Sequence, residues 1–222
     1  MSVSSNVKKK KPNPIKQCLF TSSHGAENHH FQEPYTKMFE NQTRFEKPQF
    51  LAQGGARIDD DFVNSVKAYL AENDGDRNLL ILIIGGNNIR RKGTGDTILP
   101  YFEKIIDLVT ATERAHVIIC GLVPSPPHEE AFSSKERFSE ADALLSDLAS
   151  QNEAKCTFFP TANKLCSEGK SLHKLFDDNK KYPEGKDVHL NKEGAELFAK
   201  HLSEMVRNLP KEKFNFSQKL KQ

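Results

Sequence analysis

The chain has 222 residues, of which 36% are apolar and 28% charged, and a formal net charge of +2. This length suits one domain with tails, and no apolar run approaches the roughly 18 residues that span a bilayer, which excludes a helical membrane protein. The N-terminus has no apolar segment behind its lysines, so no secretory signal is predicted. Four cysteines without paired short spacing exclude a disulfide scaffold and a cysteine-based zinc site. We therefore expect reduced thiols and an intracellular protein, cytoplasmic or nuclear.

The positive charge is concentrated at the two ends of the chain. Residues 1–16 carry five lysines and no acid, and residues 210–222 carry four lysines and one glutamate, so residues 17–209 have a net charge of −6. We expect a domain over 17–209 between two disordered basic tails, 1–16 and 210–222. Lys8–Lys11 could also act as a nuclear localisation signal or as an arm that binds nucleic acid weakly.

The predicted elements alternate between short apolar strands and longer amphipathic helices. In chain order they are a strand at Gln17–Thr21, a short helix near Tyr35–Glu40, a strand at Gln49–Gln53, a helix at Asp59–Glu72, a strand at Leu79–Ile84, a helix at Asp96–Thr112, a strand at His116–Cys120, a helix at Ser134–Gln151, a strand at Lys155–Phe159, a polar loop over 160–188 and a helix at Asn191–Leu209. This alternation predicts βαβ units, and hence an α/β domain with a five-stranded parallel sheet and helices on both faces.

Ligands of such sheets bind beyond the carboxyl ends of the strands, so the residues that follow each strand are candidates for a site. Ser22–His24 follow the first strand, Gly54–Gly55 follow the second, and Gly85–Asn88 follow the third. The polar loop after the fifth strand ends just before His189. Serine, glycine-rich turns, asparagine and histidine therefore meet at one edge of the predicted sheet.

These side chains are the components of an acyl-transfer site, which needs a nucleophile, a base and donors for the developing oxyanion. Ser23 is the candidate nucleophile and His189 the candidate base. The backbone N–H groups of Ser23 and Gly55 and the side-chain amide of Asn87 are the candidate oxyanion donors. Each residue type is also common in ordinary turns, so the prediction depends on their convergence.

In their order along the chain, these segments resemble the SGNH hydrolase family, also called GDSL-like hydrolases. GGARIDD at 54–60, LLILIIGGNNI at 79–89 and DVHLNKEGAELFAKHL at 187–202 are similar to its second, third and fifth conserved blocks, and LFTSSHG at 19–25 takes the place of the first. The resemblance implies a three-layer α/β/α fold with a flavodoxin-like sheet. It also implies a serine esterase that hydrolyses small acyl esters through Ser23, Gly55, Asn87 and His189, without a metal or organic cofactor.

Three departures from the family pattern affect the predicted site. Thr21–Ser22 replace the Gly-Asp that precedes the family's nucleophile, which leaves Ser22 as a rival nucleophile. Asn88 replaces the aspartate of the family's G-x-N-D motif. Lys186 takes the position of the triad acid, three residues before the histidine, and a lysine beside an imidazole would weaken it as a base. Asp187 is the nearest acid, and because alternate residues of an extended chain share a face, it is the candidate triad acid.

A non-catalytic function of the same edge is the alternative, because some domains of this family have lost catalysis and bind RNA, as in the Oskar-type domain. Arg57, Arg90, Arg91 and Lys92 follow the second and third strands and could contact phosphates. A similar esterase domain also occurs in proteins derived from retroelements. The histidines near the first strand lack acids at ligand spacing, so no metal site is predicted. The sequence does not indicate an oligomeric state.

Overall fold

The computed structural model describes residues 13–25, 30–91, 93–123, 125, 132–167, 170–181 and 186–214. Within this part of the chain, no helix is both long enough and apolar enough to cross a membrane.

A five-stranded sheet lies at the centre of the fold, and every neighbouring pair of its strands is parallel. The strands are β1 (Lys16–Thr21), β2 (Gln49–Ala52), β3 (Asn78–Ile83), β4 (Ala115–Cys120) and β5 (Cys156–Phe159). Their order is β2-β1-β3-β4-β5, which is the flavodoxin-like order. All residues of β3 and β4 are buried, because helices cover both faces of a parallel sheet. The predicted fold class is confirmed.

The helices divide into two layers, because alternate strand side chains point to opposite faces of the sheet. The helices are α1 (Gln32–Lys37), α2 (Asp60–Glu72), α3 (Gly86–Arg90), α4 (Gly95–Ala111), α5 (Phe132–Gln151), α6 (Ala162–Leu165) and α7 (Lys192–Asn208). On one face of the sheet, Phe20 and Leu82 pack with the apolar sides of α2, α4 and α5. On the other face, Leu19 and Ile81 pack with α1 and α7.

The segment expected to be a long polar loop, 160–188, contains regular structure, so that expectation was wrong. After α6 come the two-residue strands β6 (Cys166–Ser167) and β7 (Lys170–Ser171), a 3₁₀ turn, and then β8 (Phe176–Asp178) and β9 (Lys186–Leu190). β8 and β9 pair antiparallel in a sheet of their own. These strands are too short for a periodic apolar pattern, since β8 buries only Phe176. His189 lies within β9 and not in a loop.

The packed structure extends beyond the expected boundaries at 17 and 209. Ile15 is 1% exposed and forms a bridge with Phe45 in the second layer of the core. At the other end, a 3₁₀ helix at Lys211–Phe214 buries the Phe214 ring edge-on against His116. Single apolar residues inside lysine-rich segments therefore belong to the domain. Most of the expected tails, residues 1–12 and 215–222, lie outside the described residues.

Candidate active site

Ser23 lies at the carboxyl end of β1, in a 3₁₀ turn formed by Ser23–Gly25. The Ser22 N–H donates to the Ile83 carbonyl at the end of β3 (3.2 Å), which fixes the start of this turn against the sheet. A Cβ at Gly25 would lie only 1.9 Å from Thr21 Oγ1, so the turn closes against the Thr21 side chain only with glycine here. Thr21, which replaces a family glycine, is thus accommodated by a glycine four residues later.

Ser23 and His189 are 166 positions apart in sequence and in direct contact in the structure. The distance between Ser23 Oγ and His189 Nε2 is 2.9 Å. His189 Nδ1 lies 3.0 Å from Asp187 Oδ1. Because a carboxylate only accepts hydrogen bonds, we assign the ring proton to Nδ1, which leaves Nε2 to accept from the serine hydroxyl. The three side chains therefore form one series of close contacts from acid to hydroxyl.

The Asp187 carboxylate is held in place by donors on both of its oxygens. The Asn179 side-chain amide donates to Oδ2 (2.6 Å) and the Val188 N–H donates to Oδ1 (2.6 Å). Burial acts to raise the pKa of Asp187, but these hydrogen bonds and the nearby His189 outweigh it and lower the pKa below the ordinary value. Asp187 thus stays ionised down to a lower pH than an ordinary aspartate, and the stability this contributes is lost only as the pH falls through the lowered pKa.

Lys186 does not lie beside the imidazole, which corrects the concern raised by its position in the sequence. In β9, Asp187 and His189 share one face, whereas Lys186 points to the other, as strand alternation requires. Its ammonium group forms an ion pair with Asp178 on β8 (2.6 Å). The two-residue spacing between acid and base is therefore compatible with their contact, because both belong to one extended strand.

Asn87 connects the turn after β3 to the turn after β2. Its side-chain amide donates to the Ala56 carbonyl (2.9 Å). Ala56 closes a turn with Gln53 around Gly54–Gly55, and Gly55 has φ 73°, a left-handed conformation that favours glycine. Gln53 in turn donates its N–H to the Thr21 carbonyl (3.1 Å). The Gly55 turn is thus anchored on both sides, although Gly55 is not among the residues that line the cleft described below.

Asn88 holds the same segment two residues further on, and sequence analysis did not predict this contact. Its Oδ1 accepts from the Ile58 N–H and its Nδ2 donates to the Ile58 carbonyl, both at 3.0 Å. A side-chain amide can satisfy the N–H and the C=O of one residue in this way, whereas a carboxylate has no donor. The asparagine that departs from the family's G-x-N-D motif is therefore used as a two-sided clamp.

A cleft opens above Ser23 at the edge of the sheet. The centre of a water-sized sphere can move through about 30 Å³ of this cleft. Its lining residues are Ser22, Ser23, His24, Ile83, Ile84, Gly86, Asn87, Arg90, Gly121, Leu122, Val123 and Val188. Of the four basic residues proposed as phosphate contacts, Arg57, Arg90 and Arg91 are exposed, and Arg90 also lines this cleft. Lys92 lies outside the described residues.

His24 and Asp142 belong to the site region, and sequence analysis assigned a role to neither. The His24 ring donates from Nε2 to the Val188 carbonyl (3.1 Å) and lies 5.6 Å from the His189 ring, which ties the serine turn to β9. Asp142 on α5 accepts from the N–H of Leu122 (2.7 Å), and it is Leu122 that lines the cleft. A polar residue on a helix carries no sequence signal for such a distant contact.

Among the described residues, no three His, Cys, Asp or Glu side chains are grouped to hold a metal ion.

Comparison with known proteins identifies the family. Residues 20–197 match the GDSL-like Lipase/Acylhydrolase family, and the chain therefore belongs to it. The comparison with curated proteins gave no match.

Solved structures of low sequence identity share the fold. A member of the lipolytic protein G-D-S-L family from Veillonella parvula has 16% identity and a TM-score of 0.64, with 88% of this chain and 100% of that chain covered. An inhibitor-bound aryl esterase of M. smegmatis has 14% identity and a TM-score of 0.61, with coverages of 88% and 100%. A GDSL-like lipase from Bacteroides thetaiotaomicron has 14% identity and a TM-score of 0.64, with coverages of 86% and 88%.

Replacing Asn88 by the aspartate of the family motif is expected to destabilise the protein. Asn88→Asp removes the donor to the Ile58 carbonyl and places a carboxylate oxygen against it, which should lower the free energy of unfolding by about 1–3 kcal/mol at pH 7. In acid the protonated carboxyl can donate again, so the loss should shrink at pH 4. Urea unfolding at both pH values tests this. Asn64→Asp, on the exposed side of α2, is the control, and equal stability of Asn88→Asp and wild type at pH 7 would contradict the prediction.

Asp142 should make the protein less stable as the pH rises. Burial raises the pKa of its carboxyl to about 6, and the hydrogen bond from Leu122 offsets this only in part. Because the folded-state pKa exceeds the unfolded value, the stability from this group is complete below about pH 4 and lost as the pH rises through 6. Asp142→Asn keeps an acceptor for the Leu122 N–H and should reduce the fall in unfolding free energy between pH 4.5 and 7.5 by about 2 kcal/mol.

The control for this prediction is Asp147→Asn on the exposed side of the same helix. It should leave the pH dependence of unfolding unchanged. A pH dependence that is the same in Asp142→Asn as in wild type would show that Asp142 does not titrate as described.

Proposed function

We propose that the protein is a serine esterase that hydrolyses small carboxylic esters or thioesters through an acyl-enzyme. The observation that carries the proposal is the series of close contacts from Asp187 through His189 to Ser23. Membership of an acylhydrolase family supports hydrolysis in general, whereas the identity of the nucleophile, base and acid is our inference from these contacts.

In the proposed reaction, Ser23 Oγ bonds to the carbonyl carbon of the ester while its proton passes to His189 Nε2. The carbonyl oxygen takes up the negative charge. As the tetrahedral intermediate collapses, the bond to the leaving alcohol breaks and His189 returns the proton to that alcohol. Water then attacks the acyl-enzyme by the same sequence of steps, releasing the acid and restoring Ser23.

The oxyanion would be stabilised by the N–H groups of Ser23 and Gly55 and by the side chain of Asn87. An amide NH₂ has two N–H groups; one donates to Ala56, which sets the plane of the amide, and we assign the other to the oxyanion. Donors fixed before the reaction need no rearrangement as the charge develops, which is the largest catalytic contribution in many such sites.

Ser22 is the weaker candidate for the nucleophile. It is 8% exposed and its N–H is bonded to β3, whereas the hydrogen bond to His189 is made by the Ser23 hydroxyl. RNA binding at the same edge is likewise weaker, because its support is the exposure of Arg57 and Arg91 and the position of Arg90. Exposed arginines are common on any protein surface.

A fluorophosphonate probe is expected to label Ser23. Ser23→Ala should abolish the labelling, measured by intact-mass spectrometry and peptide mapping, and Ser22→Ala is the matched control that should still be labelled. Labelling that persists in Ser23→Ala and disappears in Ser22→Ala would move the nucleophile by one residue. A folded wild-type protein that reacts with neither probe nor ester would refute the proposed function.

Asp187→Asn is expected to lower kcat by several orders of magnitude. The equivalent Asp-to-Asn change in a serine protease lowers kcat about 10⁴-fold. The amide would donate to His189 Nδ1 and move the ring proton to Nε2, which could then no longer accept from Ser23. The measurement is ester hydrolysis by protein whose circular dichroism spectrum is unchanged.

Lys186→Ala is the control for the acid, because it changes the neighbouring residue of β9 but removes only the ion pair with Asp178. It should lower kcat less than tenfold, since the lysine points away from the imidazole. Comparable losses in both variants would indicate that β9 itself had been disturbed, and a small loss in Asp187→Asn would indicate a Ser–His dyad.

A further inference from the structure

Arg90 brings a positive charge into the cleft beside the proposed oxyanion donor. The short helix α3 presents Gly86, Asn87 and Arg90 to the cleft. Residues three apart on a helix are neighbours on its surface, with about 5–6 Å between their Cβ atoms. The guanidinium is therefore carried one helical turn from the side chain that would bind the carbonyl oxygen.

The charge of Arg90 is not balanced by the described walls of the cleft. Among the described lining residues, Arg90 is the only side chain with a permanent charge and none is acidic. Lysines elsewhere on the domain pair with carboxylates, as Lys16 does with Asp76 and Lys104 with Asp60, both at 2.7 Å. Residues 17–209 are net negative, so a cationic side chain here does not simply follow the charge of the domain.

The rest of the cleft is suited to a neutral acyl or alkyl group. Apolar residues from the end of β3, from the middle of β9 and from the segment after β4 form its other walls, namely Ile83, Ile84, Leu122, Val123 and Val188. A molecule that fits both parts has an apolar portion and an anionic portion close to the ester carbonyl. An arginine binds a carboxylate or phosphate through paired, charge-assisted hydrogen bonds.

We infer that the preferred substrate is an ester with a carboxylate or phosphate group near the reacting carbonyl, and that Arg90 is the residue that selects it. This inference rests on the proposed esterase function. It assigns a substrate class to the site. An anionic ester should be favoured over its neutral partner, and this preference should depend on Arg90.

The test compares pairs of esters in which one member is anionic and the other is neutral. 4-Acetoxybenzoate against its methyl ester places the charge on the alcohol side. Mono-(4-nitrophenyl) adipate against its methyl ester places it on the acyl side, and 4-acetoxyphenyl phosphate against 4-acetoxyanisole replaces the carboxylate by a phosphate. The measured quantity is the ratio of kcat/KM for the anionic ester to that for its neutral partner, compared between variants so that intrinsic reactivity cancels.

In at least one pair, Arg90→Gln should lower this ratio about 10-fold, as expected for the loss of a charge-assisted hydrogen bond at a partly solvated site. Arg90→Glu should lower it further by repulsion, and Arg90→Lys should fall between wild type and Arg90→Gln. Arg91→Gln is the matched control, because Arg91 is exposed but does not line the cleft. Its ratio should equal that of wild type.

Ratios unchanged by Arg90→Gln in all three pairs would overturn the inference. A fall in the ratio as large in Arg91→Gln as in Arg90→Gln would also overturn it, because it would indicate an effect of the overall surface charge. In either case, hydrolysis of the neutral esters by wild type would leave the proposed function standing. A folded wild type that hydrolyses no ester would refute the proposed function, and the inference with it. Circular dichroism of each variant separates a lost preference from a lost fold.

Discussion

The parallel, in-register pairing of β1 with β3 is the constraint on which the site depends. Thr21 pairs with Ile83, so the turns that carry Ser23 and Asn87 leave the sheet at the same level and edge. Burial on both faces fixes this register. A slip of one residue would exchange Phe20 and Leu19 between two separate cores, since a one-residue shift turns every side chain to the other face. The position of the hydroxyl relative to the amide is thus a result of core packing.

The central sheet and most of the site edge could be predicted from sequence because they follow from strong patterns. An uninterrupted run such as Leu79–Ile84 has few alternatives to a strand buried on both faces. Once the strands are assigned, the rule that ligands bind at their carboxyl ends places Ser23 and Asn87 together without any long-range information. The order of the strands in the sheet could not be predicted in this way, because apolar periodicity does not determine it. The expected order came from the resemblance to the SGNH hydrolase family.

The parts that could not be predicted are contacts between short or polar segments. β8 has three residues, so its pairing with β9 leaves almost no periodic signal, and without that pairing the direction of Lys186 is undefined. Asp142 is one polar position on an amphipathic helix, and its contact with Leu122 depends on how α5 packs against the sheet. The two hydrogen bonds from Asn88 to Ile58 need an asparagine where the family motif has an aspartate. The family motif therefore did not predict them.

The β8–β9 pair has a consequence for how the site is held together. Ser23 and Asn87 are supported by the five-stranded sheet, whereas Asp187 and His189 belong to β9, which among the described strands pairs only with β8. A two-stranded sheet is marginally stable by itself, and here Phe176 of β8 and Leu190 of β9 are buried in the second layer of the core. The contact between His189 and Ser23 therefore depends on two sheets that are joined through one layer of side chains. A substitution that loosens Phe176 or Leu190 is expected to separate His189 from Ser23 while the five-stranded sheet stays folded.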